Sequence, residues 1–443
     1  MKTLFDAVRT EQNMFAAWRH VKKSALNSGN SDIRGLASEF EHKHQTYLKR
    51  FIDQLREGRF TFDPVQGVLK DKRKRIAKGK DPRPIAIAPI KNRVVQRAIL
   101  QVLQPREARD LRDVDTRYES RRDPRLGKIN DVNRSRFGVG GLIYPYGGVG
   151  PAIRTVTDAI DCGARYYYQS DIKAFFTQIP TAVVVNFVQH ETGDPDLSRL
   201  FEEALRTELS NKDELKGYAN LFPKGGIGVA QGSSLSAFAG NVLLYDLDHE
   251  LNGLGVTAVR YIDDILMVSS DADSLDAAIQ VAKTRLNDFG FGLYEPSEGS
   301  DKASRGECCN AINFLGCTIQ PRRCVPSKAS IDKMKEGVRD ALSSSKAAIK
   351  QAVQGKRKLD PAKSQSATLS VLGKRIYGWQ KSFGFCNDIQ PFRHLDDYIA
   401  DQVVDYQGFI MRTLRGADQH MQMTVSGIPS TEDMFHASRS GKR

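Results

Sequence analysis

The sequence lacks several features that would identify common classes of protein. None of its six cysteines forms a CxxC pair, no apolar run approaches the ~18 residues of a membrane span, and the start lacks an apolar signal-peptide core. A zinc site is therefore not expected, and reduced core or surface thiols are the default. We expect a cytoplasmic protein with no membrane partner.

Net charge narrows the class of partner. The 443-residue chain carries a formal charge of +13 and has a pI near 9.3. Such a balance favours a polyanion such as nucleic acid, although many soluble proteins are basic without binding one. The length suffices for two or three domains with an ample core.

The most informative stretch is Tyr261-Ile262-Asp263-Asp264, which lies between two apolar runs. Two such runs divided by a polar break predict a hairpin with both carboxylates at its turn. Uncompensated charge beside a core is costly, so adjacent carboxylates there indicate a bound cation. A solvated turn is the alternative.

A second acidic position has a matching context. The aromatic run Tyr166–Tyr168 predicts a strand, and Asp171 follows at the junction with a predicted helix. Three aspartates at strand ends could hold two Mg²⁺ ions, with substrate phosphates completing the shell. Such a pair stabilises both oxygens of an in-line phosphoryl displacement. A helix N-cap is the alternative for Asp171.

Further motifs follow in a fixed order around these acids, across roughly residues 60–320. These motifs are Gly79–Pro89, Asn92–Ile99, Phe137-Gly138, Tyr166–Phe176, Gln231–Ser236, Tyr261–Asp264 and Phe314–Gly316. In type and order they resemble the motifs of the reverse transcriptase family. The resemblance implies an α+β right-hand polymerase with fingers, an antiparallel palm sheet with helices, and a helical thumb. It divides the chain into a helical N-terminus and fingers (1–165), a palm with interleaved fingers elements (166–320), and a basic helical thumb with a C-terminal extension (321–443).

The same resemblance assigns the catalytic acids. Asp171 and Asp263 would bridge the metal ions to the incoming triphosphate, helped by the backbone carbonyl of Ile172. Asp264 would tune the site or contact metal less directly. The implied cofactor is Mg²⁺, with Mn²⁺ as the alternative.

The resemblance also implies a nucleotide pocket, whose residues have simpler structural alternatives, and a primer contact. Phe176 would exclude ribonucleotides or be a core residue. Arg83, with Lys80 or Lys78, would clamp the triphosphate, while the charge run Lys70–Lys78 could equally be a solvated face. Gln231-Gly232 would line the pocket or form a plain loop. Lys302 would protonate pyrophosphate or be a surface lysine. Phe314, Leu315 and Gly316 resemble a primer grip, and Trp379 on the basic thumb would track duplex or be packed internally.

The biological role follows from resemblance alone. No RNase H, integrase, protease or zinc-finger endonuclease segment is recognisable, and Ala237 stands where proline is common. Ala17–Val21 and Gly373–Phe385 are similar to defence-associated bacterial reverse transcriptases, which implies antiphage activity on a cognate non-coding RNA. The partners would be RNA template, DNA primer or product, and dNTPs, with the oligomeric state open. A retron-like or group-II-intron-like polymerase and a catalytically silent RNA-binding protein are the alternatives.

For three other stretches the sequence predicts only the general type of structure. Residues 1–60 have helical periodicity with a break at Asn27–Ser31. Residues 105–150 are charged and then glycine-rich, which predicts a partly irregular insertion. After a helix over Leu395–Leu414 we expect a loose tail.

Overall fold

The computed structural model describes residues 2–77, 79–109, 118–297, 300 and 302–439. The chain forms two compact units, Met1–Cys308 and Cys309–Arg443. Lys78 and part of the predicted insertion (110–117) lie outside the described residues. No helix in the described ranges combines the length and the apolar character that a bilayer crossing requires.

The first unit begins with a helical subdomain of four helices. They are α1 (Leu4–Val8), α2 (Glu11–Leu26), α3 (Ser31–His42) and α4 (His44–Arg56). The predicted break is confirmed, because α2 ends at Leu26 and Asn30 caps α3 by accepting from the Asp32 amide at 2.7 Å. Trp18 is buried against Phe40, with ring centroids 4.5 Å apart.

A basic hairpin follows. Its strands are antiparallel, with Lys70 opposite Arg83, and a short helix rich in lysine and arginine lies between them. The elements from here to the central sheet are β1 (Gln66–Lys70), α5 (Lys72–Ile76), β2 (Arg83–Ile87), α6 (Ile90–Leu103), β3 (Arg106–Ala108), β4 (Tyr118–Ser120), α7 (Ile129–Val132) and α8 (Val149–Asp161). The described part of the predicted insertion is thus mostly short strands, turns and one-turn helices.

A four-stranded antiparallel sheet forms the centre of the first unit. Its strands, β5 (Tyr166–Asp171), β6 (Thr257–Tyr261), β7 (Asp264–Ser269) and β8 (Ala303–Glu307), lie in the order β6-β7-β5-β8. The helices that connect or flank them are α9 (Phe175–Gln178), α10 (Thr181–Thr192), α11 (Pro195–Leu205), α12 (Lys212–Leu215), α13 (Ser236–Asn252) and α14 (Ala272–Asp288). Strand β7 is buried along nearly its whole length because helices cover it. The predicted α+β class is confirmed.

The second unit has its own small sheet and its own core. The strands β9 (Ile312–Phe314), β10 (Cys317–Gln320) and β11 (Arg323–Pro326) are antiparallel, in the order β11-β10-β9. They precede α15 (Lys328–Val353), α16 (Gln365–Phe383), α17 (Gln390–Thr413), α18 (Gln419–Ser426) and α19 (Thr431–Arg439). The loose tail expected after residue 414 was wrong, because two further helices follow. The predicted domain boundaries stay predictions, and the one at 320 falls within this sheet.

Candidate active site

The register of the central sheet brings the two acidic segments together. Asp171 ends β5 and is the direct cross-strand partner of Asp264, which begins β7. Direct partners in an antiparallel pair have Cβ atoms about 4.5–5.5 Å apart on one face of the sheet. The amide of Ile172 donates to the backbone oxygen of Asp263 at 2.7 Å. All three acids therefore lie together at one end of strands β5 and β7, and we call this group of Asp171, Asp263 and Asp264 the acidic edge.

The turn that carries Asp263 has a strained backbone. Ile262 has a φ of 63°, a left-handed conformation that is unfavourable for a β-branched residue. Such a residue costs on the order of 1–3 kcal/mol and persists only where its surroundings enforce it. The structure must therefore hold this turn from outside.

A fully buried ion pair next to the turn holds its backbone in place. Arg260 of β6 is 1% exposed and Asp248 of α13 is 3% exposed. The guanidinium donates from Nε and Nη2 to the two carboxylate oxygens of Asp248, at 2.9 and 2.5 Å. Its Nη1 donates to the backbone oxygen of Ile262 at 3.0 Å. Burial raises the pKa of the Asp248 carboxyl, while the Arg260 charge opposes that rise.

Backbone from residues 137–140 covers this ion pair. The Arg260 amide donates to the Phe137 oxygen at 2.8 Å, and the Arg260 oxygen accepts from the Val139 amide at 2.9 Å. A Cβ at Gly138 would clash with the ion pair, and one at Gly140 would clash with the Ile262 amide. Both glycines are needed for close approach, which gives a physical reason for the Phe137-Gly138 motif.

The pKa values of the adjacent acids Asp263 and Asp264 are both raised. Burial raises the pKa of Asp263, and the negative charge of Asp264 raises it further. Burial also raises the pKa of Asp264. Both carboxylates would ionise more readily beside a cation, because a positive charge offsets desolvation and repulsion together.

Lys302 lies at the acidic edge rather than on a remote surface. Its ammonium forms an ion pair with the Asp171 carboxylate, and its backbone oxygen accepts from the Asp171 amide at 2.9 Å. Burial lowers the pKa of Lys302, and the charges of Arg83, Lys80 and Arg75 lower it further.

The basic hairpin contributes charge to the same region. The charge of Arg83 opposes the rise in the pKa of Asp263 and lowers that of Lys302. Arg75 donates from Nε to the backbone oxygen of Asp81 at 2.6 Å, which fixes the connection between the strands. These cations and the acids face a common region, an arrangement suited to a substrate that carries phosphates.

Phe176 and the Gln231-Gly232 loop are linked by short backbone contacts. The Phe176 oxygen accepts from the Val229 amide at 2.7 Å, and the Gln231 oxygen accepts from the Ala86 amide at 3.0 Å. Gly232 has a φ of 118°, and a Cβ there would lie 2.8 Å from the Ala86 oxygen. Phe175 is core, as expected, whereas Phe176 is half-buried. Gln231 and Gly232 thus adjoin strand β2, whereas Phe176 is hydrogen-bonded to Val229, two residues before Gln231.

The predicted primer-grip residues belong to the second unit. Phe314 is buried, so its ring supports the hairpin from inside rather than presenting an exposed contact. Leu315 and Gly316 form the turn, with φ values of 49° and 80°. The Gly316 oxygen accepts from the Ser327 amide and the Ser330 hydroxyl, both at 2.8 Å. Glycine is favoured here by its left-handed φ and because a Cβ would lie 2.9 Å from the Ser330 Oγ.

The acids fit divalent cations by chemistry and by backbone position. Carboxylate oxygens are the hard ligands that Mg²⁺ and Mn²⁺ prefer. Among the described residues, the carboxylate oxygens of these three acids do not all lie within 4.8 Å of one another. The Asp171 carboxylate is instead paired with Lys302. The sheet register thus brings the backbones of the three acids together.

Comparison with known proteins identifies the family. Residues 71–319, more than half of the chain, match the family described as reverse transcriptase (RNA-dependent DNA polymerase). The chain belongs to this family, and the predicted right-hand polymerase fold is confirmed. No curated protein sequence matches the chain.

Several solved structures are similar at low identity. A partial Cas6-RT-Cas1–Cas2 complex is 19% identical with a TM-score of 0.36, over 65% of this chain and 43% of that one. A second Cas6-RT-Cas1–Cas2 complex is 14% identical with a TM-score of 0.36, over 91% and 50%. Telomerase from Candida albicans is 12% identical with a TM-score of 0.42, over 86% and 64%. The chain thus spans less than two thirds of each.

The first prediction concerns the buried ion pair. Arg260→Met leaves the Asp248 charge buried and unpaired, which should lower the free energy of unfolding by about 3–5 kcal/mol in urea denaturation. Arg285→Met is the matched control, since its pair with Glu250 is exposed and should contribute far less to stability than a buried pair.

Replacing both partners, Arg260→Met with Asp248→Leu, should destabilise less than Arg260→Met alone, because no charge is left buried. Equal small losses for Arg260→Met and Arg285→Met would contradict the structural role of this pair.

The second prediction concerns the destabilising negative charge of Asp264. Because burial raises the pKa of Asp264, its ionised form destabilises the folded state at pH values above the unfolded pKa of ~3.9. Asp264→Asn should therefore raise the thermal midpoint at pH 7 without divalent cations. The gain should shrink as the pH falls towards 4.

Asp288→Asn, an exposed change on α14, is the control and should show no such gain. A thermal midpoint for Asp264→Asn below that of the wild type at pH 7 would show that the carboxylate is not under electrostatic strain.

Proposed function

We propose that this chain is an RNA-directed DNA polymerase that adds dNTPs to a 3′ end with two Mg²⁺ ions. The observation that carries the proposal is the register of the sheet, in which Asp171 opposes Asp264 while the Asp263 backbone binds the Ile172 amide at 2.7 Å. The family match covers all of these residues. Mn²⁺ is the alternative cofactor.

The metal-binding roles fall on the acids at the sheet edge. Asp171 and Asp263 would hold the ions, helped by the Ile172 carbonyl, and Asp264 would act less directly. Bound divalent ions would stabilise the attacking and leaving oxygens of an in-line displacement. Asp263 sits on a turn whose backbone the buried Arg260 fixes, so the backbone at Asp263 needs little reorganisation.

Residues around the acids would bind and orient the nucleotide. Arg83 and Lys80 would neutralise the triphosphate, since guanidinium and ammonium groups donate to phosphate oxygens. Lys302 would release a proton from Nζ to the leaving pyrophosphate. Its lowered pKa makes the ammonium a stronger acid for that transfer. The Ala86–Gln231 hydrogen bond supports a role for Gln231-Gly232 at the pocket floor.

Phe176 would select deoxyribonucleotides, because a half-buried ring near the sugar leaves no space for a 2′-hydroxyl. In the second unit, Leu315 and Gly316 would contact the primer backbone from the exposed turn, with Phe314 supporting them. The net charge of +13 supports binding of an RNA template and a DNA product, since phosphate contacts dominate such affinity.

The biological setting we propose is bacterial antiphage defence, in the cytoplasm, with a cognate non-coding RNA as template. It rests on the resemblance of Ala17–Val21 and Gly373–Phe385 to defence-associated relatives. Sequencing RNA that co-purifies with the chain tests it. One abundant structured species supports the proposal, and a sample of cellular RNA in proportion to abundance opposes it.

The third prediction tests catalysis directly. On a primed RNA template with dNTPs and Mg²⁺, Asp171→Asn and Asp263→Asn should each lower the extension rate at least about 100-fold, because each loses charge that holds the ions. Asp288→Asn should extend at the wild-type rate.

A wild-type protein that binds template yet makes no DNA, with or without its co-purified RNA, would favour the catalytically silent alternative. Equal extension by Asp171→Asn and the wild type would refute the assigned metal site.

The fourth prediction concerns sugar selection. Phe176→Ala should raise the rate of rUTP incorporation relative to dTTP at least about 10-fold, because the ring no longer blocks the 2′-hydroxyl. Phe187→Ala, another half-buried ring in the first unit, is the control. Unchanged discrimination in Phe176→Ala, with folding intact, would mean that Phe176 is a packing residue.

A further inference from the structure

Three cysteines converge in the second unit. Cys317 lies on β10, Cys324 on β11, and Cys386 just beyond α16. Their Sγ atoms all lie within 4.8 Å of one another, and those of Cys324 and Cys386 are 4.0 Å apart. Two of the thiols are buried and Cys386 is half-buried. Sequence spacing does not indicate this group, because Cys386 is 62 residues from Cys324.

Backbone pairing places the first two thiols together. Cys324 is the cross-strand partner of Ile319, and Cys317 is the partner of Pro326. Cys317 and Cys324 are thus diagonal neighbours across the same face of the hairpin, within reach of each other.

The residue after Cys386 fixes the third thiol. Asn387 forms two hydrogen bonds with the Cys324 backbone: its Oδ1 accepts from the amide at 2.8 Å and its own amide donates to the oxygen at 3.1 Å. Its Nδ2 donates to the Arg322 oxygen at 3.1 Å. Arg323 and Asp388 add an ion pair at 2.9 Å. These contacts bind the segment to β11 without any help from the thiols.

The sulfur separations fit ligands that share one ion. Tetrahedral Zn²⁺ with Zn–S bonds of about 2.3 Å places its sulfur ligands about 3.8 Å apart, close to the 4.0 Å found for Cys324 and Cys386. A disulfide would need about 2.05 Å, and Cys317, Cys324 and Cys386 are not disulfide-bonded. Thiolate is the ligand that soft cations prefer.

We propose that Cys317, Cys324 and Cys386 bind one Zn²⁺ ion, with water as the fourth ligand on the side of the half-buried Cys386. The ion would join both strands of the hairpin to the chain beyond α16. Because Cys317 directly follows the turn of Leu315 and Gly316, it would also stiffen the proposed primer contact. The site itself does not depend on the proposed polymerase activity.

Metal content tests the proposal. The full chain is purified with reductant and without chelator, incubated with Zn²⁺, desalted, and analysed by elemental mass spectrometry. We expect about one zinc per chain in the wild type and in Cys162→Ser, which alters an exposed cysteine of the first unit. Cys324→Ser and Cys386→Ser should retain at most a tenth as much.

Thiol protection gives a readout that needs no variant. Zn²⁺ should slow alkylation of Cys386 by N-ethylmaleimide at least about tenfold, located by peptide mass spectrometry, because a metal-bound thiolate is blocked. Exposed Cys162 should react at the same rate with and without Zn²⁺.

The proposal is overturned if the reduced wild type retains no more zinc than Cys324→Ser and Zn²⁺ leaves the alkylation of Cys386 unchanged. A disulfide between any two of the three in protein purified without oxidant would overturn it as well, since a bonded pair cannot supply three thiolates.

Discussion

The buried ion pair of Arg260 and Asp248 is the constraint on which the acidic edge depends. Two of the guanidinium nitrogens satisfy the carboxylate, and the third binds the Ile262 oxygen at 3.0 Å. Burying this pair is costly, and a well-packed apolar pair could be as stable. Its value lies in position: it holds a left-handed isoleucine, and therefore the backbone of Asp263, against its preference.

Charge balance explains the surroundings of the three acids. Burial raises the pKa values of Asp263 and Asp264, and the Asp264 charge raises that of Asp263 further. Lys302 pairs with Asp171, and the charge of Arg83 lowers the pKa values of Asp263 and Lys302. In the proposed function, Asp171 would hold a divalent cation, and Lys302, no longer paired with Asp171, would face the triphosphate.

The sequence predicted most of this edge because its signals are local. An acidic doublet between apolar runs predicted a hairpin, and β6 and β7 flank that turn as expected. The aromatic run before Asp171 predicted a strand, which β5 confirms. The family motifs predicted the fold because their order reflects topology.

Contacts between distant residues could not be predicted in the same way. Nothing local distinguishes Arg260 from a surface arginine, since its burial depends on Asp248 of another element. Cys386 meets Cys324 only because Asn387 pairs with β11. The helices beyond residue 414 were missed because their sequence is largely polar, and Val425 is buried among residues far away in the chain.

Cation binding by the acidic edge is the central claim, and titration of Mn²⁺ followed by electron paramagnetic resonance tests it most directly. The account predicts that wild-type protein with dNTP binds Mn²⁺ and that Asp171→Asn and Asp263→Asn each weaken binding at least about tenfold, while Asp288→Asn does not. Identical Mn²⁺ binding by the wild type and both site variants would contradict it.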